Sequence, residues 1–270
     1  MINRDLFVLE MRRNLKSLVL WSVVIGALIF FTMSFFRTVL GYQQQISGIF
    51  QMVPIMVMKM RGFSNFNDIF SVMGFYTANN IIYMMLIGSI FGTVLSGNIL
   101  LKEEYGKTAE YLMSRPIMRT EIFLTKITVA FVNIFILNML AAVISYIAIQ
   151  VYKNGPFNVE PFLVLTLYTF LLNLLFGAIG LFISVIIKRA RPVTSFCVGL
   201  VLVFYFINTI SKMSGVEGSF GYLSPFKWVD VDVLSPAYGF DLPRTATFIL
   251  VTALFVVISG FIYRRKDILI

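Results

Sequence analysis

The chain has 270 residues, of which 59% are hydrophobic and only 13% are charged, whereas globular domains carry about a quarter charged residues. This composition excludes a soluble globular protein and predicts an all-α polytopic membrane protein, folded as a single transmembrane domain over residues 1–270. The net charge of +9 does not indicate a nucleic-acid partner, because the basic residues flank apolar segments, as expected beside anionic lipid headgroups.

The N-terminal segment, residues 1–17, has the periodicity of a short amphipathic helix. Phe7, Met11 and Leu15 fall on one side of this helix, and Arg12 and Arg13 lie toward another. The pattern predicts an interfacial helix that lies along the membrane surface with its apolar side down.

Six apolar segments follow, each near the length of about 20 residues that a helix needs to cross a bilayer. They are residues 18–36, 76–101, 122–151, 162–187, 193–211 and 246–263. Fifteen Lys and Arg residues lie on the side of the N-terminus and seven on the other side. By the positive-inside rule, this asymmetry predicts that both termini are cytoplasmic.

The first outer segment, residues 37–75, carries a group of four methionines: Met52, Met56, Met58 and Met60. Thioethers are ligands for Cu(I), and methionine is also a flexible apolar filler. The segment is interpreted as half-embedded interfacial helices, with copper binding as the alternative.

No Asp or Glu occurs inside the predicted spans, and most polar residues there are amides and hydroxyls. Four of the amides are Asn133, Asn138, Asn173 and Asn208. We interpret them as interhelical hydrogen-bonding groups, with a pathway lining as the alternative. Gly88-Ser-Ile-Phe-Gly92 of the second span is a small-residue pattern that lets another helix approach closely. The chain also lacks histidine, so a proton relay within the membrane and catalysis by the chain itself are both disfavoured.

Residues 102–120 form a charged segment between the second and third spans. As a helix, the segment would place Glu103, Lys107 and Glu110 on one polar stripe. Acidic residues would begin this helix, where they suit the positive end of the helix dipole. Arg115-Pro116 would end it, because proline cannot continue the hydrogen-bond ladder of a helix. Periodicity alone leaves two interpretations open, a plain interfacial loop and a rigid helix offered to a soluble partner.

The last outer segment, residues 212–244, is rich in aromatic residues and is interrupted by Pro225, Pro236 and Pro243. We interpret it as an aromatic belt at the level of the outer headgroups. A platform for a peptide or carbohydrate is the alternative.

Residues 104–119 read Glu-Tyr-Gly-Lys-Thr-Ala-Glu-Tyr-Leu-Met-Ser-Arg-Pro-Ile-Met-Arg and are followed by Lys126. This run resembles the E-x-x-G-T-x-E-x-L-x-x-x-P-x-x-R…K signature of the permease subunits of type-2 ATP-binding-cassette (ABC) exporters, with Lys107 standing before Thr108. Residues 223–230 (Leu-Ser-Pro-Phe-Lys-Trp-Val-Asp) and 263–268 (Tyr-Arg-Arg-Lys-Asp-Ile) are similar to two further segments of that family.

The resemblance implies that residues 102–120 contain a coupling helix, which docks into a separate ATPase subunit that holds ATP and Mg. The candidate contact residues are Glu103, Glu104, Gly106, Thr108, Glu110, Arg115, Pro116 and Arg119. It also implies a dimer with a second permease copy or homologue. The translocation path would run near the second and fifth spans, where Ser89 and Asn208 are candidate lining residues.

The resulting expectation is a bacterial plasma-membrane permease that binds no metal or cofactor itself. The apolar spans with scattered amides suit an amphiphilic or hydrophobic cargo, such as a peptide antibiotic, toxin or drug. The alternative is an immunity or sensing protein that binds a toxin peptide without transporting it.

Overall fold

The computed structural model describes residues 2–50, 66–101, 118–187, 193–213, 219–235 and 238–265. These ranges form helices and connecting turns, with no β-strand in any of them. Six helices are long and apolar enough to cross a membrane, which confirms the predicted number of spans. We number them span 1 to span 6: Arg4–Gly41, Val72–Ile99, Arg119–Tyr152, Val159–Ile186, Val193–Lys212 and Leu242–Arg265.

Two of the spans are irregular. Span 1 consists of the helices Arg4–Ser34 and Phe36–Gly41, and a further helix, Gln43–Phe50, follows it. Span 2 contains one π-helical turn, Thr77–Ile81, between the α-helices Val72–Tyr76 and Ile82–Ile99. Short 3-10 helices cover Phe66–Phe70, Ser219–Leu223 and Pro225–Trp228.

Spans 2 and 4 form the centre of the bundle, because small residues on both helices allow close contact. A Cβ atom on Gly92 would lie 2.9 Å from the carbonyl oxygen of Asn173, and one on Gly180 would lie 2.9 Å from Thr93 Cα. Neither position has room for a side chain. The close approach predicted from Gly88 and Gly92 is therefore confirmed, with span 4 as the partner helix.

The two ends of the bundle differ in chemistry. At one end, called the basic end, Phe123, Tyr263 and Leu181 pack in one apolar cluster, with Phe7 against it. This end holds both termini of the described chain and the points where the chain leaves at residue 101 and returns at residue 118. The opposite end, called the aromatic end, contains residues 219–235 and 238–241, which contact span 4 through Phe226.

The interfacial helix predicted for residues 1–17 is not confirmed as a separate element. Arg4–Ser34 is a single helix, so no break separates a surface helix from the first span. Its inward stripe near the N-terminus is Leu6, Glu10 and Asn14, whereas Leu15 is exposed. Glu10 turns inward because span 3 supplies its partner, Lys126, which the periodicity of residues 1–17 alone does not reveal.

Candidate functional site: a buried ion pair at the basic end

A fully buried ion pair and a hydrogen bond join three spans at the basic end. The ammonium of Lys126, on span 3, lies 3.8 Å from Oε1 of Glu10 on span 1, and neither side chain has any exposed surface. The same ammonium donates a 2.7 Å hydrogen bond to the carbonyl oxygen of Ile99. We call Glu10, Lys126 and the Ile99 carbonyl the Lys126 joint.

The Ile99 carbonyl is a natural acceptor for this lysine. Ile99 is the last residue of span 2, and the final carbonyls of a helix have no partner within it. A cation at that position also complements the negative end of the helix dipole. Lys126 therefore secures the end of span 2 to spans 1 and 3.

Glu10 is held by a second cation at the edge of the joint. Arg13 Nη1 lies 3.5 Å from Glu10 Oε1, and its side chain is 46% exposed. Neither carboxylate oxygen of Glu10 accepts a hydrogen bond from the described residues. A carboxylate buried in this way depends on its cations, because removing one partner of a buried pair typically destabilises by about 3–5 kcal/mol.

Further contacts fasten span 1 along span 3. The backbone N–H of Asn3 donates to Thr125 Oγ1 at 2.9 Å, while the Asn3 side chain caps the helix by accepting from the N–H of Leu6. Asn133 Nδ2 lies 3.2 Å from the sulfur of Met11. The N-terminal turns of span 1 are thus part of the bundle.

The joint lies close in sequence to residues 101 and 118, where the described chain stops and resumes, and residues 102–117 are outside the described part of the chain. Seven of the eight predicted contact residues fall in that range and stay predictions: Glu103, Glu104, Gly106, Thr108, Glu110, Arg115 and Pro116. The eighth, Arg119, is the exposed first residue of span 3. Lys126 follows it by two helical turns, or about 10 Å.

Ser89 lies in a buried amide network between spans 2, 3 and 4. Its hydroxyl donates to Asn173 Oδ1 at 3.1 Å, and Asn173 Nδ2 donates to Asn138 Oδ1 at 2.9 Å. All three side chains are buried. The interpretation of Asn138 and Asn173 as interhelical hydrogen-bonding groups is confirmed by these contacts, and a path-lining role for Ser89 stays a prediction.

Asn208 lines a small cavity of about 30 Å³ between spans 2 and 5, near the aromatic end. Thr77, from the π-helical turn, and Lys212 also line it. Asn208 is 6% exposed, and its Oδ1 atom has no hydrogen-bond partner among the described residues. Single π-turns within α-helices occur frequently at functional sites. The cavity combines such a turn with a buried polar side chain and is therefore a second candidate functional site.

The aromatic end closes over this cavity. Phe226 lines it and packs on Phe176 and Tyr205, with ring centroids 5.0 and 5.7 Å apart. Tyr222, in contrast, is exposed, and the ammonium of Lys227 lies 4.3 Å from its ring centroid. The segment predicted as an aromatic belt therefore has both a buried side and an exposed side.

Comparison with known proteins gives one family. The family model described as "ABC-2 family transporter protein" matches residues 5–268, which include every described span apart from the terminal residue of span 1. No curated protein matches the chain.

Proposed function

Because the chain belongs to the ABC-2 transporter family, as the resemblance of residues 104–119 predicted, we propose that it is the membrane-spanning subunit of a bacterial exporter driven by a separate ATPase. The family and the six apolar helices make it a multi-pass membrane protein. In the proposed assembly, it lies in the plasma membrane as a dimer with a second permease copy or homologue. ATP and Mg are bound by the ATPase subunit.

The observation that carries the proposal is the Lys126 joint. A force applied to residues 102–117 reaches the membrane through the two helices that flank them, spans 2 and 3. Lys126 links the end of one to the start of the other through the Ile99 carbonyl, and Glu10 extends the link to span 1. Packed protein interiors have low compressibility and transmit strain. Spans 1, 2 and 3 would therefore move together when a partner displaces residues 102–117.

The distribution of polar groups within the spans supports the proposal that transport is powered by a partner subunit. The acidic residues of the described spans lie near the span ends, at Asp5, Glu10, Glu121 and Glu160. The central polar groups are uncharged, as in the Ser89 and Asn173 network. Carriers driven by protons or ions normally hold ionisable groups at such depth, and this arrangement fits a permease powered from outside.

The path is proposed to run along spans 2 and 5, where the Asn208 cavity lies. Its lining combines an amide, hydroxyls, the aromatic rings of Tyr205 and Phe226, and the side chain of Lys212. Such a lining suits an amphiphilic or hydrophobic cargo, for which we propose a peptide antibiotic, toxin or drug. A second permease copy would complete the path.

The experiment is co-purification and ATP hydrolysis with a cognate ABC ATPase subunit. We expect a stable complex and expect that Glu110→Lys lowers cargo-stimulated hydrolysis without unfolding the permease. Glu160→Lys is the matched control, because Glu160 is an exposed acid at the aromatic end. Wild-type hydrolysis in Glu110→Lys would contradict the coupling role. Toxin resistance that persists without any ATPase would favour the alternative, an immunity or sensing protein.

A further inference from the structure

A groove of about 310 Å³ opens on the outside of the bundle at the basic end. Phe123 and Leu124 of span 3 form one wall, and Val257, Gly260 and Phe261 of span 6 form the other. Arg264 lines the groove in the last turn of span 6. We call this feature the span 3–span 6 groove.

The groove exists because span 6 packs mainly on span 4. Phe255 meets Phe182 of span 4 with ring centroids 5.5 Å apart, and Phe248 meets Tyr168 at 6.4 Å. Span 3 is contacted near the end of span 6, where Phe123 stacks on Tyr263 at 5.2 Å. Away from this stack the two helices leave an open channel.

Gly260 shapes the floor of the channel. A Cβ atom there would lie 3.0 Å from Cε1 of Phe123, which is closer than side chains normally approach. A larger residue at this position would push into the space between the two helices. Glycine therefore leaves the groove open.

The lining of the groove indicates the chemistry of its occupant. Leu124, Val257 and Phe261 are 48%, 53% and 61% exposed, so the walls offer apolar surface to a hydrocarbon chain. Arg264 and its neighbour Arg265 are exposed, and neither forms an ion pair within the described residues. An apolar channel that ends at the exposed guanidinium group of Arg264, with a second exposed arginine next to it in the chain, fits a molecule with a hydrocarbon chain and an anionic head.

We propose that the span 3–span 6 groove binds an anionic phospholipid, with one acyl chain between the spans and the phosphate at Arg264. A second copy of the chain is a poorer occupant, because a twofold interface at this groove would bring the same basic patch of both copies together. The bound lipid would brace the last turn of span 6 against the start of span 3, two turns from Lys126.

The test uses the full-length protein and native mass spectrometry after equilibration with equal amounts of phosphatidylglycerol and phosphatidylcholine. We expect wild type to retain phosphatidylglycerol preferentially. Arg264→Gln should lower that preference roughly fivefold, the factor that corresponds to about 1 kcal/mol for one basic residue at an anionic surface. Arg12→Gln, at an exposed basic residue of span 1, is the matched control and should leave the preference unchanged.

Gly260→Leu fills the groove and should remove the retained lipid whatever its headgroup. Because Arg264 is exposed, its variant keeps the test valid even if Gly260→Leu does not fold. Equal retention of both lipids by wild type, or an unchanged preference in Arg264→Gln, would overturn the proposal. A disulfide-linked dimer through Val257→Cys would also overturn it, by placing a second copy in the groove.

Discussion

Replacing Lys126 by methionine removes the ammonium that joins spans 1, 2 and 3 and leaves the Glu10 carboxylate buried. At 3.8 Å and an effective dielectric constant of about 20, the attraction within the pair is about 4 kcal/mol. Arg13 remains 3.5 Å from the carboxylate, but it is 46% exposed and compensates only in part. We therefore expect Lys126→Met to destabilise the chain by about 3 kcal/mol, near the lower end of the range for breaking a buried pair.

The assay is thermal unfolding in detergent, followed by the fluorescence of Trp21 and Trp228, the two tryptophans of the chain. A loss of this size lowers the melting temperature by about 5–6 °C in a chain of this length. Lys16→Met, which removes an exposed lysine of span 1, is the control and should melt like wild type.

The double variant Glu10→Met with Lys126→Met separates the ion pair from general packing. Replacing a whole buried pair by apolar side chains is often neutral, so the double variant should be more stable than Lys126→Met alone. It should stay about 1 kcal/mol below wild type, because the Ile99 carbonyl loses its hydrogen bond. If Lys126→Met melts like wild type, or if the double variant is no more stable than the single one, the joint is not the structural link inferred here.

Two other variants test the close contact of spans 2 and 4 and the role of the Asn208 cavity. Gly180→Ala should destabilise the chain by about 1–3 kcal/mol, because its Cβ would meet the backbone of Thr93. Gly199→Ala is the control and should not destabilise it, because Gly199 has open space around it. Equal melting temperatures of the two variants would contradict the close contact of spans 2 and 4. Asn208→Leu should lower cargo transport severalfold while leaving stability unchanged or raised, because it removes a buried polar atom that has no partner among the described residues. Phe206→Leu, at an exposed position of the same span, is its control, and equal transport by both variants would argue against a path through the cavity.

Much of the fold was predictable from the sequence because the bilayer imposes a length on every apolar helix. The six spans and the close approach at Gly88 and Gly92 follow from hydrophobicity and residue size, which are local properties. The π-helical turn at Thr77–Ile81 carries no comparable local signal. Its position depends on how span 2 packs against its neighbours.

The joint was missed because its partners are far apart in the chain. The periodicity of residues 1–17 groups Phe7, Met11 and Leu15 as an apolar face directed at the membrane surface and says nothing of which residues turn toward the bundle. Glu10 and Asn14 instead continue the buried stripe of Leu6 and Leu18. The spacing of four residues along this stripe was visible in the sequence, but Lys126 lies 116 residues away from Glu10, and only the tertiary structure brings the two together.

The central claim is that this chain has no energy source of its own and is driven through residues 102–117 by a partner. The most direct measurement is uphill cargo transport in liposomes that contain either the chain alone or the chain with its ATPase. The account predicts transport only in the second case and only with ATP. Uphill transport by the chain alone would contradict it.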